Sequence, residues 1–200
     1  MKLIFATNNP NKLSEDICIL GNQFEVLSLA DIGHSGDIPE PHATLEENAR
    51  EKSMFIFNKY GVNCFSEDSG LEIDTLNGEP GVHSARYAQK DDLLPAAVVQ
   101  DADLNMELVL KKMDGLIKRS ARFRTIISLI QNGEEIQFEG QVEGIITKEK
   151  SGVTGFGYDP IFKPQGYDVT FAEMSVEQKN AISHRGNAIR KLVEYLMHLK

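Results

Sequence analysis

The chain has 200 residues, 21 Lys and Arg against 30 Asp and Glu for a formal charge of −9, and 41% hydrophobic residues. This is ordinary globular composition with enough chain for one domain of two lobes, which excludes a stapled mini-protein. Cys18 and Cys64, with no C-x-x-C, exclude a disulfide framework and a structural zinc site, and the acidic balance excludes a protein that coats nucleic acid.

KLIFAT (2–7) reads as a short buried strand. After Asn8 and Asn9, Pro10 suits the first turn of a helix with Leu13, Ile17 and Leu20 on its apolar face and Gly21 at its end. QFEVLSL (23–29) is a second strand. Thr44 with Glu47 resembles a capping box opening a helix to about Tyr60, ended by Gly61, with Leu45, Ala49, Ile56 and Tyr60 as its buried stripe. Lys52 lies between Ala49 and Ile56 at helical spacing, an awkward place for a lysine meant only for solvent. VNCFSED (62–68) and LEIDTL (71–76) read as two extended segments around Ser69-Gly70, followed by turn chemistry in NGEPG (77–81).

Residues 89–103 show no strong period, and a helix is expected from about Leu104 to Met113. Two alternating runs flank Asn132-Gly133, the strongest short-range hairpin signal. SGVTGFGYDPIF (151–162) is a Gly-rich loop, and Ser175 with Gln178 opens a closing helix with an apolar stripe at Ile189, Leu192, Val193 and Leu196. The fold class is mixed α/β (α+β), a central mixed sheet flanked by helices.

The apolar run in MKLIFATNN is too short for a signal peptide's core, and no segment approaches the ~20 apolar residues of a membrane span. A soluble cytoplasmic protein is expected. The charge is unevenly spread, with 7 bases and 16 acids in residues 1–100 and 14 of each in residues 101–200. The excess acid therefore lies in the half holding Glu40, Glu67 and Asp68.

No G-x-x-x-x-G-K-[ST], G-x-S-x-G or H-E-x-x-H occurs, so any nucleotide site must use other devices. Four strings could supply them. TNNPNK (7–12) joins a strand to a helix N-terminus and is either an anion cradle with Lys12 or a plain capped helix start. Glu40, Glu67 and Asp68 are either solvated acids or the one or two carboxylates that magnesium takes beside phosphate oxygens, and a carboxylate off the metal could deprotonate water. Phe156 and Tyr158 in GFGYDPIF could stack on a base beside Asp159, or plug the core. Lys179, Ser183, His184 and Arg185 in KNAISHRGNA form a donor-rich turn with no nucleophile for a hydrolase triad.

Taken together, ATNNPNK, ENAREKS, SEDSGLEIDTLNGEPGVHSARYA, SARF, GFGYDPIF and KNAISHRG resemble, in order and spacing, the inosine triphosphate pyrophosphatase (Ham1-like) family. His83 stands where that family often has an aromatic residue, Gln89 where glycine is common, and residues 89–103 match poorly. The resemblance implies a magnesium-dependent enzyme that hydrolyses ITP, dITP and XTP to the monophosphate and pyrophosphate. It further implies an elongated two-lobed chain over residues 1–200, with its site in the cleft between lobes, working as a homodimer.

Carried over by motif, Thr7, Asn8, Asn9, Pro10, Asn11 and Lys12 would hold the triphosphate, with Lys52 approaching it. Asp68 would be the catalytic acceptor and a metal-linked carboxylate, assisted at the metal by Glu40 and Glu67. Ser69, Phe156, Gly157, Tyr158, Asp159, Lys179, His184 and Arg185 would contact the nucleotide, with Phe156 under the base and the segment from Ser183 to Arg185 reading its 6-oxo group. The alternatives are a pyrophosphatase for other modified nucleotides and a nucleotide sensor that does not hydrolyse.

Overall fold

A computed structural model describes residues 2–21, 24–90 and 101–198. Its strands are β1 (Lys2–Phe5), β2 (Glu25–Leu27), β3 (Cys64–Ile73), β4 (Pro80–Gly81), β5 (Ser120–Gln131), β6 (Glu134–Ile146) and β7 (Phe162–Pro164). Its helices are α1 (Pro10–Leu20), α2 (Leu45–Tyr60), α3 (Tyr87–Lys90), α4 (Ala102–Lys112), α5 (Val176–Ile182) and α6 (His184–His198). The strands form one mixed sheet in the order β2-β1-β3-β5-β6-β7, with β4 paired to β3. β1 runs parallel to both β2 and β3, while β4 and β7 pair antiparallel with β3 and β6. The expected mixed α/β class is the one observed. Among the described residues, no helix is long and apolar enough to cross a membrane.

The chain divides into two compact units, the first made of Met1–Asp68, Thr125–Gly140 and His184–Lys200, the second of Ser69–Arg124 and Gln141–Ser183. In the first unit the period of two along β1 sends Leu3 and Phe5 into one apolar cluster and Ile4 and Ala6 into another. Leu20 of α1 and Ala188, Ile189, Leu192 and Leu196 of α6 fill the former cluster, where the Phe5 and Phe65 rings stack at 4.5 Å. Ile56 of α2 fills the latter with Cys64 and Ile130. α6 can lie close to β6 because Gly140 has no side chain: a Cβ there would sit 2.0 Å from the His184 carbonyl oxygen and 2.3 Å from the Ala188 nitrogen.

The second unit has its own core, with Met106, Val109 and Met113 against Leu71, Ile73 and the aromatic group Phe123, Phe162 and Phe171. Phe162 lies 4.7 Å from Phe123 and 5.2 Å from Phe171, ring centre to ring centre.

Several local expectations change. The two extended segments around Ser69-Gly70 are one continuous strand, β3. Gly70 serves close approach there instead of a break, since a Cβ would meet the Gly81 carbonyl oxygen at 2.5 Å, beside the Leu71–Gly81 pair of β3 and β4. The closing helix is two helices, α5 and α6, divided at Ser183, and Gly186 lies inside α6. The stripe on α1 is also turned: Ile17 is 45% exposed, whereas Asp16 is fully buried with Leu20. The second strand is shorter than expected, with Gln23 outside the described residues, as are positions 91–100 of the stretch that matched no pattern.

Candidate active site

The opening loop of the first unit is built from local capping chemistry. Asn9 caps α1, its Oδ1 accepting from the backbone N–H of Asn11 at 2.9 Å and of Lys12 at 3.3 Å, with Pro10 in the first turn. Thr7 Oγ1 accepts from the Asn9 N–H at 3.1 Å, and Asn8 Nδ2 donates to the Gly36 carbonyl at 2.9 Å. Two of the amides expected to face an anion are thus already satisfied by Asn9. What the helix start offers beyond them is chiefly Lys12, whose Nζ lies 3.3 Å from Glu67 Oε1.

α2 carries Lys52 one turn beyond Asn48, on the buried side with Ala49, Ser53 and Ile56. Its Nζ donates to Glu40 Oε1 at 2.6 Å and to Asp68 Oδ1 at 3.0 Å. Burial works against the Lys52 ammonium, but Asp68 and Glu40 outweigh it and hold its pKa above the ordinary lysine value. Asp68, 8% exposed near the middle of β3, shows the opposite balance. Its burial raises the pKa, Lys52 and Lys12 lower it, Glu40 raises it, and the net shift is upward. A carboxylate so placed is a stronger base than one in water.

The neighbouring Glu67 points into a different group. Arg185, at the start of α6, donates from Nε to both Glu67 oxygens at 3.1 Å, from Nη1 to Glu15 Oε2, and approaches Asp16 Oδ1 at 3.6 Å. Burial opposes the Glu67 charge, but Arg185 and Lys12 prevail and hold its pKa below the ordinary value. Asp16 is shifted well upward, first by burial and then by the Glu67 charge, and neither of its oxygens makes a hydrogen bond. Glu67 and Arg185, expected at a metal and at a base, here hold each other and fix the charge around Lys12.

In the second unit, Asp159 is the organising residue of the Gly-rich loop. Its Oδ2 accepts from Lys179 Nζ at 2.7 Å and from the Phe156 N–H at 2.8 Å. Gly155, at φ +77°, leaves room for it, since a Cβ there would lie 2.1 Å from that oxygen. The Lys179 ammonium stands 4.8 Å from the centre of the Phe156 ring. Tyr158, expected among the nucleotide contacts, is instead part of the core, its hydroxyl donating to the Ser84 carbonyl at 2.7 Å. Burial raises its pKa. Gly157 supplies a left-handed turn at φ +63° between the two aromatics. Ser69 continues β3 directly after Asp68. Ser183 ends α5 and His184 begins α6, both buried.

Among the described residues no three or more His, Cys, Asp or Glu converge on a metal position. Glu40 and Asp68 nevertheless share one ammonium, so two hard oxygen donors face the same small volume. That set fits a hard divalent cation that completes its shell with water and phosphate oxygens, and does not fit a cation caged by protein alone. Sequence reasoning reached Lys52 through its helical spacing but missed Glu15, Asp16 and Asn48, and the signal for Asp16 was a possible stripe Leu13, Asp16, Leu20 at i, i+3, i+7.

The chain is 46% identical over 200 residues to a dITP/XTP pyrophosphatase of Flavobacterium johnsoniae, covering 100% of both chains. It is 45% identical over 200 residues to a protein of the same description from Porphyromonas gingivalis, covering 100% of this chain and 99% of the other. Among solved structures, the Ham1 protein of Staphylococcus aureus superposes with a TM-score of 0.87 at 36% identity over all of both chains. The model of the Ham1 family matches residues 3–195, and the chain belongs to that family.

Proposed function

We propose that the protein hydrolyses non-canonical purine nucleoside triphosphates, dITP, ITP and XTP, to the monophosphate and pyrophosphate, removing them from the nucleotide pool. The observation that carries this reading is Asp68, a buried carboxylate with a raised pKa, held 3.0 Å from Lys52 in a chain full of the family's strings. The 46% identity to a dITP/XTP pyrophosphatase supports the substrate class.

The chemistry follows from the residues. Attack of water on the α-phosphorus with pyrophosphate leaving demands neutralisation of triphosphate charge more than covalent help. Lys12 and Lys52 supply fixed positive charge. Asp68 orients the water and takes its proton, a task suited to a carboxylate whose burial has made it more basic. Magnesium, when held by Glu40 and Asp68 with the phosphates, supplies further neutralisation of the leaving group. Glu67 assists by holding Lys12 rather than by taking a lone metal position. The raised basicity of Asp68 favours hydrolysis over mere sensing.

At the other end of the substrate, Phe156 stacks on the base, and Asp159 positions both the Phe156 backbone and Lys179. Ser69 and Gly157 contribute contacts along the nucleotide. Ser183 and His184 supply donors to the 6-oxo group, while Arg185 beside them stays bound to Glu67 and Glu15. In adenine the same donors meet an amine, and a buried mismatch of this kind costs on the order of 10²–10⁴-fold in kcat/KM. The family resemblance adds the expectation of a homodimer working in the cytoplasm.

The test is a panel of dITP, ITP, XTP, ATP and GTP with and without magnesium, with products identified. Pyrophosphate and monophosphate from the first three, and little from ATP, is the expected result. Orthophosphate as the first product would overturn the mechanism.

A further inference from the structure

We infer that Asn48 is a positioning residue for Glu40, fixing by a two-point backbone clamp the carboxylate that Lys52 grips by its side chain. The inference rests on the function proposed above, in which Glu40 serves the triphosphate and its metal.

The segment that carries Glu40 has little packing of its own. Ile38 packs on the first unit's core, but Pro39, Glu40, Pro41, Ala43 and Thr44 are all exposed, so apolar burial anchors the chain before Glu40 and not after it. Polar contacts with α2 do. The Asn48 amide reads the backbone of His42 from both sides: Oδ1 accepts from the His42 N–H at 2.9 Å, and Nδ2 donates to the His42 carbonyl at 3.2 Å. This reproduces a strand-like exchange of hydrogen bonds with a single side chain, for which a carboxamide is suited because its donor and its acceptor are separate atoms of one planar group. Asn48 itself is 2% exposed and anchored in the helix, its own N–H donating to the Thr44 carbonyl at 3.2 Å.

The spacing completes the device. Asn48 and Lys52 are one helical turn apart on the same side of α2. The first holds the main chain two residues after Glu40, and the second holds the Glu40 carboxylate at 2.6 Å. A long acidic side chain gripped only at its tip would keep several rotamers, whereas a fixed backbone leaves the tip one place to go. Thr44, which caps the helix through its hydroxyl, does not substitute for the clamp, because it acts on the Glu47 N–H and not on the loop.

The experiment compares the wild type, Asn48→Ala, Asn48→Asp, Glu40→Gln and the Asn48→Ala/Glu40→Gln double variant. Hydrogen–deuterium exchange of peptides over residues 36–43 and pyrophosphate release from dITP are measured on each. Asn48→Ala is expected to speed exchange at His42 and to lower kcat by about 10- to 100-fold with KM changed less, the loss typical of a group displaced by about an ångström. Asn48→Asp keeps the acceptor but loses the donor, and its kcat falls in between. On the Glu40→Gln background, Asn48→Ala is expected to cost less than about threefold more, because both changes act through one carboxylate.

Multiplicative losses, or unchanged exchange over residues 36–43 in both Asn48 variants, would overturn the inference. If Asn48→Ala does not fold, Asn48→Asp and its double with Glu40→Gln decide by the same readouts. A wild type that releases no pyrophosphate from dITP defeats the proposed function instead, and the exchange comparison still decides whether Asn48 holds the loop.

Discussion

Lys52 Nζ stands 3.0 Å from Asp68 Oδ1 and 2.6 Å from Glu40 Oε1, one buried ammonium between two carboxylates supplied by a strand and a loop. Burial raises the Asp68 pKa, Lys52 and Lys12 lower it and Glu40 raises it, and the net shift is upward. The Asp68 carboxylate is thereby a stronger base than an ordinary one.

Asp68→Asn is expected to lower kcat by about 10²–10⁴-fold, the usual share of a general base, with dITP binding retained. Turnover and calorimetric binding of dITP, measured side by side, check this. In the wild type, kcat/KM is expected to fall with acid at a pH above the ordinary Asp value of about 3.9, because the Asp68 pKa is raised.

Removing Lys52 leaves two carboxylates facing each other. Lys52→Met is expected to destabilise the fold by about 3 kcal/mol, the low end for a broken buried pair, because the Glu40 side chain is still 30% exposed. Urea unfolding measures it, and a variant as stable as wild type would contradict the role given to this ammonium.

Phe156→Ala is expected to weaken dITP and XTP binding by about 1–3 kcal/mol, the range for loss of one base–aromatic stack, and to change KM more than kcat. The Phe156 N–H bond to Asp159 is a backbone contact and survives the change. An unchanged KM would remove the stacking role.

Asp16 titrates with a pKa well above its ordinary value, pushed there by burial and the Glu67 charge. The folded chain therefore holds that proton more tightly than the unfolded chain, so the stability it contributes is complete below about pH 4 and is lost as pH rises toward the folded pKa. Asp16→Asn keeps the shape and abolishes the titration. Its Tm relative to wild type is expected to rise between pH 5 and pH 8, and a difference independent of pH would refute the assignment.

Gly140→Ala is expected to destabilise the first unit by about 3 kcal/mol, the upper end for overpacking, because its Cβ would sit 2.0 Å from the backbone oxygen of His184, which cannot rotate away. Thermal and urea unfolding check the size. Gly133→Ala is a poor control, since φ +87° strains it independently of packing.

Much of this protein was legible before any coordinates. Asn9 as cap with Pro10 behind it, Gly61 in the left-handed conformation after α2, and Asn132 and Gly133 at φ +52° and +87° in the β5–β6 turn are all dictated by the sterics and hydrogen bonding of a few adjacent residues. The buried position of Lys52 followed from its spacing to Ala49 and Ile56, again a local matter. The tertiary structure decided which charges meet. Arg185 reaches Glu67 across 118 positions of chain, and that partnership allows Asp16 to be buried where Ile17 had seemed the better apolar residue. Tyr158 turned from candidate ligand to core through a hydroxyl bond to a carbonyl 74 positions away. Composition and short-range spacing identify the residues able to do chemistry, but the pairing of distant charges depends on strand order and register, which no local preference specifies.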